Sequence, residues 1–138
     1  AADPNCRNQR SLKNRIIKKK EAGARFIQTQ MVMEKENLIE FCEKISKPLE
    51  IPVIAGVFLL KSYKNALFIN KYVPGANIPD NILNRLKNAK EPLQEGIQIA
   101  AEQAQDFIKI ANGIHLMAVK AEHLIPEILE KADLNLEY

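Results

Sequence analysis

Cysteine and histidine are scarce in this sequence, which has two of each among its 138 residues. Cys6 and Cys42 form no CxxC pair, and no histidine stands at metal-ligand spacing, so the sequence predicts no metal site. Cys42 shares a helical stripe with Leu38 and Phe41, which indicates a buried and inert thiol. Cys6 lies in a loop among polar residues and could be exposed, although an inert thiol is the simpler interpretation there too.

Long apolar runs are also missing, because none approaches the roughly 18 residues of a transmembrane helix. The first residues lack the charged-then-apolar pattern of a signal peptide, so we expect a cytoplasmic protein without a membrane partner. The 20 Lys and Arg residues exceed the 17 acids by only three. This small basic bias, with no aromatic residues interleaved among the cations, argues against a nucleic-acid partner.

Helical and strand-like segments alternate along the chain. The apolar run at 51–60, IPVIAGVFLL, is rich in β-branched residues and predicts a strand covered on both faces, as in a parallel sheet. Shorter strands are predicted over 24–30 and 114–119. Helices are predicted over the ranges 11–21, 34–47, 62–71, 81–88, 91–111 and 121–132.

Five residues set expected features of the helix ends. Ser11 and Asp80 are predicted N-caps. Gly23 and Gly113 are predicted to end the helices that precede them. Pro126 falls in the first turn of the last helix, where its missing N–H costs little. The buried stripe of the longest helix is predicted to be Ile97, Ala101, Ala104, Ile108 and Ala111.

Strands separated by helices predict an α/β fold with parallel pairing through right-handed crossovers. Three strands cannot close a barrel, and a (β/α)8 domain typically takes about 250 residues. The chain also opens on a loop that looks like the end of a further strand. We therefore expect a partial (β/α)8 TIM barrel, with extra helices before the final strand. An open three-stranded sheet is the alternative, but it would leave two parallel edges bare.

The site of such a barrel lies at the carboxyl ends of its strands. No carboxylate, histidine or Ser/His pair stands at those positions, so a general acid would come from outside this chain. Gln30 both donates and accepts hydrogen bonds, which suits the amide-like edge of a heterocycle, but Gln28 and Gln30 would also serve as satisfied barrel polar groups. Asn65 and Phe68 follow the second strand, where a substrate ring could hydrogen-bond or stack, and packing is the default for Phe68.

Seven basic residues cluster between positions 7 and 20. A solvated helix face is the usual explanation, and a phosphate-binding edge is the sharper one, because the cations lie beside a loop at a helix start. His115 is expected to be a structural residue of the last strand, and His123 to face solvent. The basic residues are Arg7, Arg10, Lys13, Arg15, Lys18, Lys19 and Lys20.

Three segments of the chain carry a combination of short motifs: KKKEAGARFIQTQ, then IPVIAGVFLLKSYKNALFINKYVPGANIPD, then GIHLMAVKAEHLIPEIL. Together they resemble the C-terminal part of the methylenetetrahydrofolate reductase family. The first carries the family's basic residue, its AGA triplet and the pair Thr29-Gln30. Order and spacing agree over roughly residues 10–132, and the combination is far more specific than any single motif.

The resemblance implies that residues 1–138 form the C-terminal part of one eight-stranded barrel domain, roughly its last three β/α units. It implies a flavin-dependent oxidoreductase that reduces 5,10-methylenetetrahydrofolate to 5-methyltetrahydrofolate. FAD is the implied cofactor, folate the substrate, and NAD(P)H or a partner redox protein the electron donor. Gln30 matches the glutamine that contacts folate in the family, and Asn65 and Phe68 are the further candidate substrate contacts.

For the cofactor, the resemblance implies contacts from Arg15, Lys18 and Lys19 to the ribose and phosphates of FAD. Leu12 and Arg15 stand where many members carry Asp and Asn. The family's catalytic glutamate and an aspartate near the flavin belong to the N-terminal half of the barrel. The chain alone is therefore expected to be inactive and to need the other barrel half, and homo-oligomerisation is left open. Two alternatives remain, namely a non-catalytic barrel remnant that acts as an interaction or regulatory module, and an unrelated phosphate-binding barrel enzyme.

Overall fold

The computed structural model describes residues 1–134 of the chain. Besides the α-helices and strands, the chain has a π-helical turn, Cys42–Ser46, and a short 3-10 turn, Glu122–Leu124. No helix within the described residues is long and apolar enough to cross a membrane. In chain order the elements are α1 (Gln9–Glu21), β1 (Ile27–Met31), α2 (Lys35–Phe41), α3 (Lys47–Leu49), β2 (Val53–Phe58), α4 (Tyr63–Tyr72), α5 (Asp80–Asn88), α6 (Pro92–Ile110), β3 (Gly113–Met117) and α7 (Ile125–Ala132).

The three strands form one parallel sheet in the order β1-β2-β3. Three helices, α4 to α6, lie between β2 and β3, which confirms the predicted α/β class and the extra helices before the last strand. At the outer edge of β1, Ala2 adds an isolated parallel bridge to Thr29. Its N–H donates to the carbonyl of Gln28 at 3.0 Å, and its carbonyl accepts from the N–H of Gln30 at 2.7 Å. The sheet is thus consistent with a unit of a TIM-like barrel.

The two faces of the sheet differ in burial. On one face Ile27, Val53, Ala55 and Val57 are buried and belong to one apolar cluster with residues of α1, α2 and α6. Because side chains alternate along a strand, the intervening residues point to the opposite side. We call that side the open face, because its side chains stay exposed or half-buried. It comprises Gln28, Gln30, Ile54, Phe58, His115 and Met117.

The strands are shorter than their apolar segments. β1 begins at Ile27 rather than at residue 24, and Phe26 before it is 56% exposed. β2 ends at Phe58, although Leu59 and Leu60 after it are buried. An apolar residue beyond the strand can still be buried, because it packs on the helices. The strand itself ends where its hydrogen bonds to the neighbouring strand end, so the length of the apolar run overestimates the length of the strand. β3 ends at Met117 for the same reason, two residues before the predicted end.

Both predicted N-caps are wrong. Asn8 caps α1, since its side-chain oxygen accepts from the backbone N–H of Ser11 at 3.0 Å, and Ser11 lies inside the helix. Asp80 is the first residue of α5, and Pro79 before it makes no side-chain capping bond. In each case the helix begins before the first residue of its apolar pattern, because hydrogen bonds rather than burial stabilise the first turn.

The residues predicted to end or enter helices are confirmed in part. Gly23 follows α1 with φ of 104°, a conformation that glycine adopts at little cost. Gly113, by contrast, begins β3, and α6 ends at Ile110. Ile108 is 38% exposed and does not belong to the buried stripe of α6. Pro126 lies in the first turn of α7 as predicted.

Candidate functional site

Gln30 lies near the carboxyl end of β1 on the open face, and its side chain is exposed. The side chain has no hydrogen-bond partner among residues 1–134. Gln28, two residues earlier on the same face, contacts the Nδ1 atom of His115 through its amide nitrogen at 2.5 Å. The two glutamines are therefore not equivalent. The amide nitrogen of Gln28 is paired within the protein, whereas among the described residues Gln30 has an unused donor and acceptor at the strand end.

The backbone at Gln30 is held by an irregular pairing with β2. Between Gln28 and Met31 the register of the two strands shifts. The hydroxyl of Thr29 accepts from the N–H of Gly56 at 2.9 Å and donates to the carbonyl of Gln30 at 2.7 Å. A Cβ atom at Gly56 would lie 2.8 Å from that carbonyl oxygen, so only glycine fits without a backbone shift.

A cavity of about 200 Å³ brings Gln30 together with two cations of α1, Arg15 and Lys19. Asp3, Leu12 and Ile16 also line this cavity. The structure thus assembles one candidate substrate residue and two candidate cofactor residues around a shared space.

Lys18, the residue before Lys19 on α1, lines a second cavity of about 320 Å³ together with Arg15. Arg15, Lys18 and Lys19 are all exposed, and none forms an ion pair within the described part of the chain. Lys19 donates from Nζ to the carbonyl of Ala1 at 3.0 Å, so one of its donors is already used. Lys18 and Lys19 also occupy the last turn of α1, where positive charge is favourable next to the helix dipole, so part of their role is structural.

Asn65 and Phe68 lie on α4, and neither lines the cavity that contains Gln30. The Oδ1 atom of Asn65 accepts from the backbone N–H of Lys61 at 3.2 Å, which leaves its side-chain nitrogen free among the described residues. Phe68 is 58% exposed and packs on Tyr72, with ring centroids 4.8 Å apart. Phe68 is therefore not a core residue, although its ring packs on that of Tyr72.

Sequence reasoning missed Asp3. Because Ala2 pairs with β1, Asp3 occupies the position directly after a strand-like residue and lines the cavity beside Gln30. Its Oδ1 atom accepts from the backbone N–H of Asn5 at 2.9 Å, and Asn5 in turn accepts from the side chain of Asn37 at 3.0 Å. The available signal was the opening loop itself, which resembled the end of a strand, and strand ends are where barrel sites lie.

A family model described as methylenetetrahydrofolate reductase matches residues 1–133. The chain belongs to the methylenetetrahydrofolate reductase family. Among curated proteins, methylenetetrahydrofolate reductase 2 of Schizosaccharomyces pombe is 31% identical over 133 residues, covering 86% of this chain and 20% of that protein. Methylenetetrahydrofolate reductase 1 of the same yeast is 27% identical over 124 residues, covering 84% of this chain and 20% of its own length. The chain thus spans about a fifth of these relatives.

One solved structure shares the fold with a TM-score of 0.66 and 20% sequence identity. It is an uncharacterised protein from Clostridium thermocellum, described as binding two copies of 5-methyl-5,6,7,8-tetrahydrofolic acid. The match covers 90% of this chain and 48% of that protein. Family membership was predicted from the segments around Thr29-Gln30, Gly56 and Gly113, and that prediction is confirmed. It also excludes an unrelated phosphate-binding barrel.

Proposed function

We propose that this chain supplies roughly the last three β/α units of a flavin-dependent barrel that reduces 5,10-methylenetetrahydrofolate to 5-methyltetrahydrofolate. The single observation that carries the proposal is the family match over residues 1–133. The side chain of Gln30 supports it, because it lies at a strand end on the open face and has no hydrogen-bond partner among the described residues. The solved neighbour that shares this fold binds a methylated folate, which supports folate as the ligand class. NAD(P)H or a partner redox protein would supply the electrons.

FAD is the cofactor that family membership implies, and the cations of α1 fit its anionic part. Arg15 and Lys18 line a common cavity and carry no internal ion pair in the described residues, so their charge is available to phosphate oxygens. Lys19 lies beside the neighbouring cavity that Gln30 also lines. When bound, the flavin supplies the hydride chemistry, and protein side chains bind and orient it.

Gln30 would orient the substrate rather than take part in proton transfer. A carboxamide side chain can donate to one atom of a pterin edge and accept from the next, which fixes the ring in its plane. The free side-chain nitrogen of Asn65 and the exposed ring of Phe68 are the proposed further contacts to folate. Since these two residues do not line the Gln30 cavity, they would meet a different part of the ligand.

The proposal is tested by two separate half-reactions on the purified full-length protein. Rapid mixing should show reduction of the flavin by NAD(P)H and, in a second step, reoxidation of the reduced flavin by 5,10-methylenetetrahydrofolate. A protein that binds neither flavin nor folate would contradict the proposal and favour the alternative, a non-catalytic barrel remnant that serves as an interaction or regulatory module.

The cofactor contacts have their own test. Replacing both Lys18 and Lys19 by glutamine should weaken FAD binding, and the loss should shrink as salt rises, because screening removes the same electrostatic attraction. A matched double variant at Lys44 and Lys109, two exposed lysines on other helical segments, removes the same charge elsewhere. Equal FAD affinity in the two double variants would assign Lys18 and Lys19 to a solvated helix face.

A further inference from the structure

The pairing of β1 with β2 contains one extra residue on β1. Gln28 is opposite Ile54, but Met31 is opposite Gly56, so three steps on β1 match two steps on β2. Such a bulge bends the strand locally and changes the direction of the side chains next to it. Gln30 lies within this bulge, immediately before the end of the strand.

Thr29 holds the bulge with its side chain. It is only 3% exposed, and by alternation it lies on the side opposite to Gln28 and Gln30. Its hydroxyl accepts from the N–H of Gly56 and donates to the carbonyl of Gln30, and thereby replaces a main-chain acceptor that the bulge removes. The hydroxyl therefore ties the peptide of Gln30 to the middle of β2.

Gly56 completes the arrangement from the side of β2. Any Cβ at this position would meet the backbone carbonyl of Gln30 at 2.8 Å, which a flexible side chain cannot relieve. The bulge thus depends on a hydroxyl at position 29 and on the absence of a side chain at position 56. Neither Thr29 nor Gly56 brings a side-chain donor or acceptor to the open face.

We propose that Thr29 is a positioning residue that sets the direction of the Gln30 side chain through this bulge. The inference rests on the proposed folate contact of Gln30 and adds a residue that acts on folate without touching it. Because the Thr29 side chain is buried on the other side of β1, its effect on a ligand must pass through the backbone of Gln30.

Thr29→Val tests the inference in the full-length protein, because valine keeps the shape and burial but removes both hydrogen bonds. Without ligand, hydrogen exchange of the 53–58 segment should accelerate, since the N–H of Gly56 loses its acceptor. Affinity for 5-methyltetrahydrofolate should fall about tenfold, while FAD content stays at the wild-type level. Thr29→Ser keeps the hydroxyl and should restore the affinity to within about threefold of wild type.

Ser46→Ala is the matched control for stability alone. Ser46 is 7% exposed and donates its hydroxyl to the carbonyl of Ile51 at 2.7 Å, before β2 begins and at the other end of the sheet. It should lower stability without changing folate affinity. Gly56→Ala provides a second route to the bulge if Thr29→Val does not fold, and it should weaken folate binding in the same way.

The outcomes separate the inference from the proposed function. Wild-type folate affinity in folded Thr29→Val, or an equal loss of affinity in Ser46→Ala, would overturn the positioning role while leaving folate binding intact. A wild-type protein that does not bind 5-methyltetrahydrofolate would overturn the proposed function, and the positioning role with it. Loss in Thr29→Val and recovery in Thr29→Ser, with Ser46→Ala unchanged, establishes the inference.

Discussion

At the scale of single residues, two glutamines of the same strand and the same face have different surroundings. Gln28 is paired with His115, which comes from a strand 87 positions later in the sequence. Gln30 has an open side chain and a backbone fixed by Thr29 and Ala2. A fixed backbone below a side-chain amide with no partner among the described residues is expected of a preorganised ligand contact, since little conformational entropy is lost on binding.

Gln30→Ala should therefore weaken binding of 5-methyltetrahydrofolate in the full-length protein by about 1–3 kcal/mol, the typical effect of leaving a buried partner unpaired. It should slow the folate half-reaction and leave flavin content and flavin reduction nearly unchanged. Titration calorimetry and rapid mixing measure the two effects.

Gln28→Ala is the control, because it removes the same side chain from the same face but breaks only an internal contact. If both variants lose folate affinity equally, or if Gln30→Ala loses its flavin, the folate contact of Gln30 is wrong.

The two cysteines differ at the same scale. Cys42 is buried, as predicted, and Cys6 is half-buried. Burial raises the pKa of the Cys42 thiol, the charge of Lys47 opposes this rise and that of Glu43 adds to it. The folded state therefore favours the neutral thiol, which is the unreactive form.

A thiol reagent at neutral pH should label Cys6 first in the folded protein, with Cys42 reacting only at alkaline pH or after unfolding. Peptide mass spectrometry locates the label. Both thiols should react alike in denaturant, which serves as the control. Rapid labelling of Cys42 in the folded state at neutral pH would show that its helix opens.

At the scale of elements, α1 connects the cation cluster to the sheet. Leu12 and Ile16 are buried against the core, while Arg15, Lys18 and Lys19 of the same helix stay exposed. The start of this helix is fixed by the side chain of Asn8 rather than by that of Ser11. The cap therefore fixes where the first turn of α1 begins, and the positions of the cations along the helix follow from that start.

Asn8→Ala should lower the free energy of unfolding by about 1 kcal/mol, because the first turn of α1 loses its capping acceptor. Ser11→Ala keeps the backbone N–H that the cap uses and should change the unfolding free energy by less than about 0.5 kcal/mol. Chemical denaturation of the two variants measures both values. A larger loss in Ser11→Ala would restore Ser11 as the cap.

At the scale of the whole molecule, the sheet has a covered face and an open face. Helices α1, α2 and α6 bury one face, whereas Gln28, Gln30 and the half-buried residues beside them are left on the other. A flavin and a folate need an enclosed site that excludes water and buries most of their surface. Three strands with one open face do not enclose that volume, so further β/α units are required by the proposed function.

The isolated 138-residue chain should accordingly show no reduction of 5,10-methylenetetrahydrofolate, even with added FAD and electron donor. The measurement is an anaerobic turnover assay, with the full-length protein as the positive control. Circular dichroism must show that the isolated chain is folded, so that inactivity is not mistaken for unfolding. Turnover by the folded 138-residue chain would contradict the need for the rest of a barrel.

The sequence by itself determined the features that rest on local pattern. The order of helices and strands, the parallel class of the sheet, the end of α1 just before Gly23 and the family were all predicted correctly. Each follows from residues close together in the chain, where periodicity and steric preference act directly. The starts of α1 and α5 and the ends of the strands were missed, because hydrogen bonds set them and a hydrophobicity pattern carries no information on hydrogen bonds.

Only the tertiary structure decided which polar residues are free. The sequence could not separate Gln28 from Gln30, because the partner of Gln28 is His115 on a strand two positions away in the sheet. It did not place Asp3 in the same cavity wall as Gln30, nor the hydroxyl of Thr29 against the N–H of Gly56, since both arrangements depend on the register of parallel strands. Register is set by packing of the whole sheet on its helices, and no local segment encodes it.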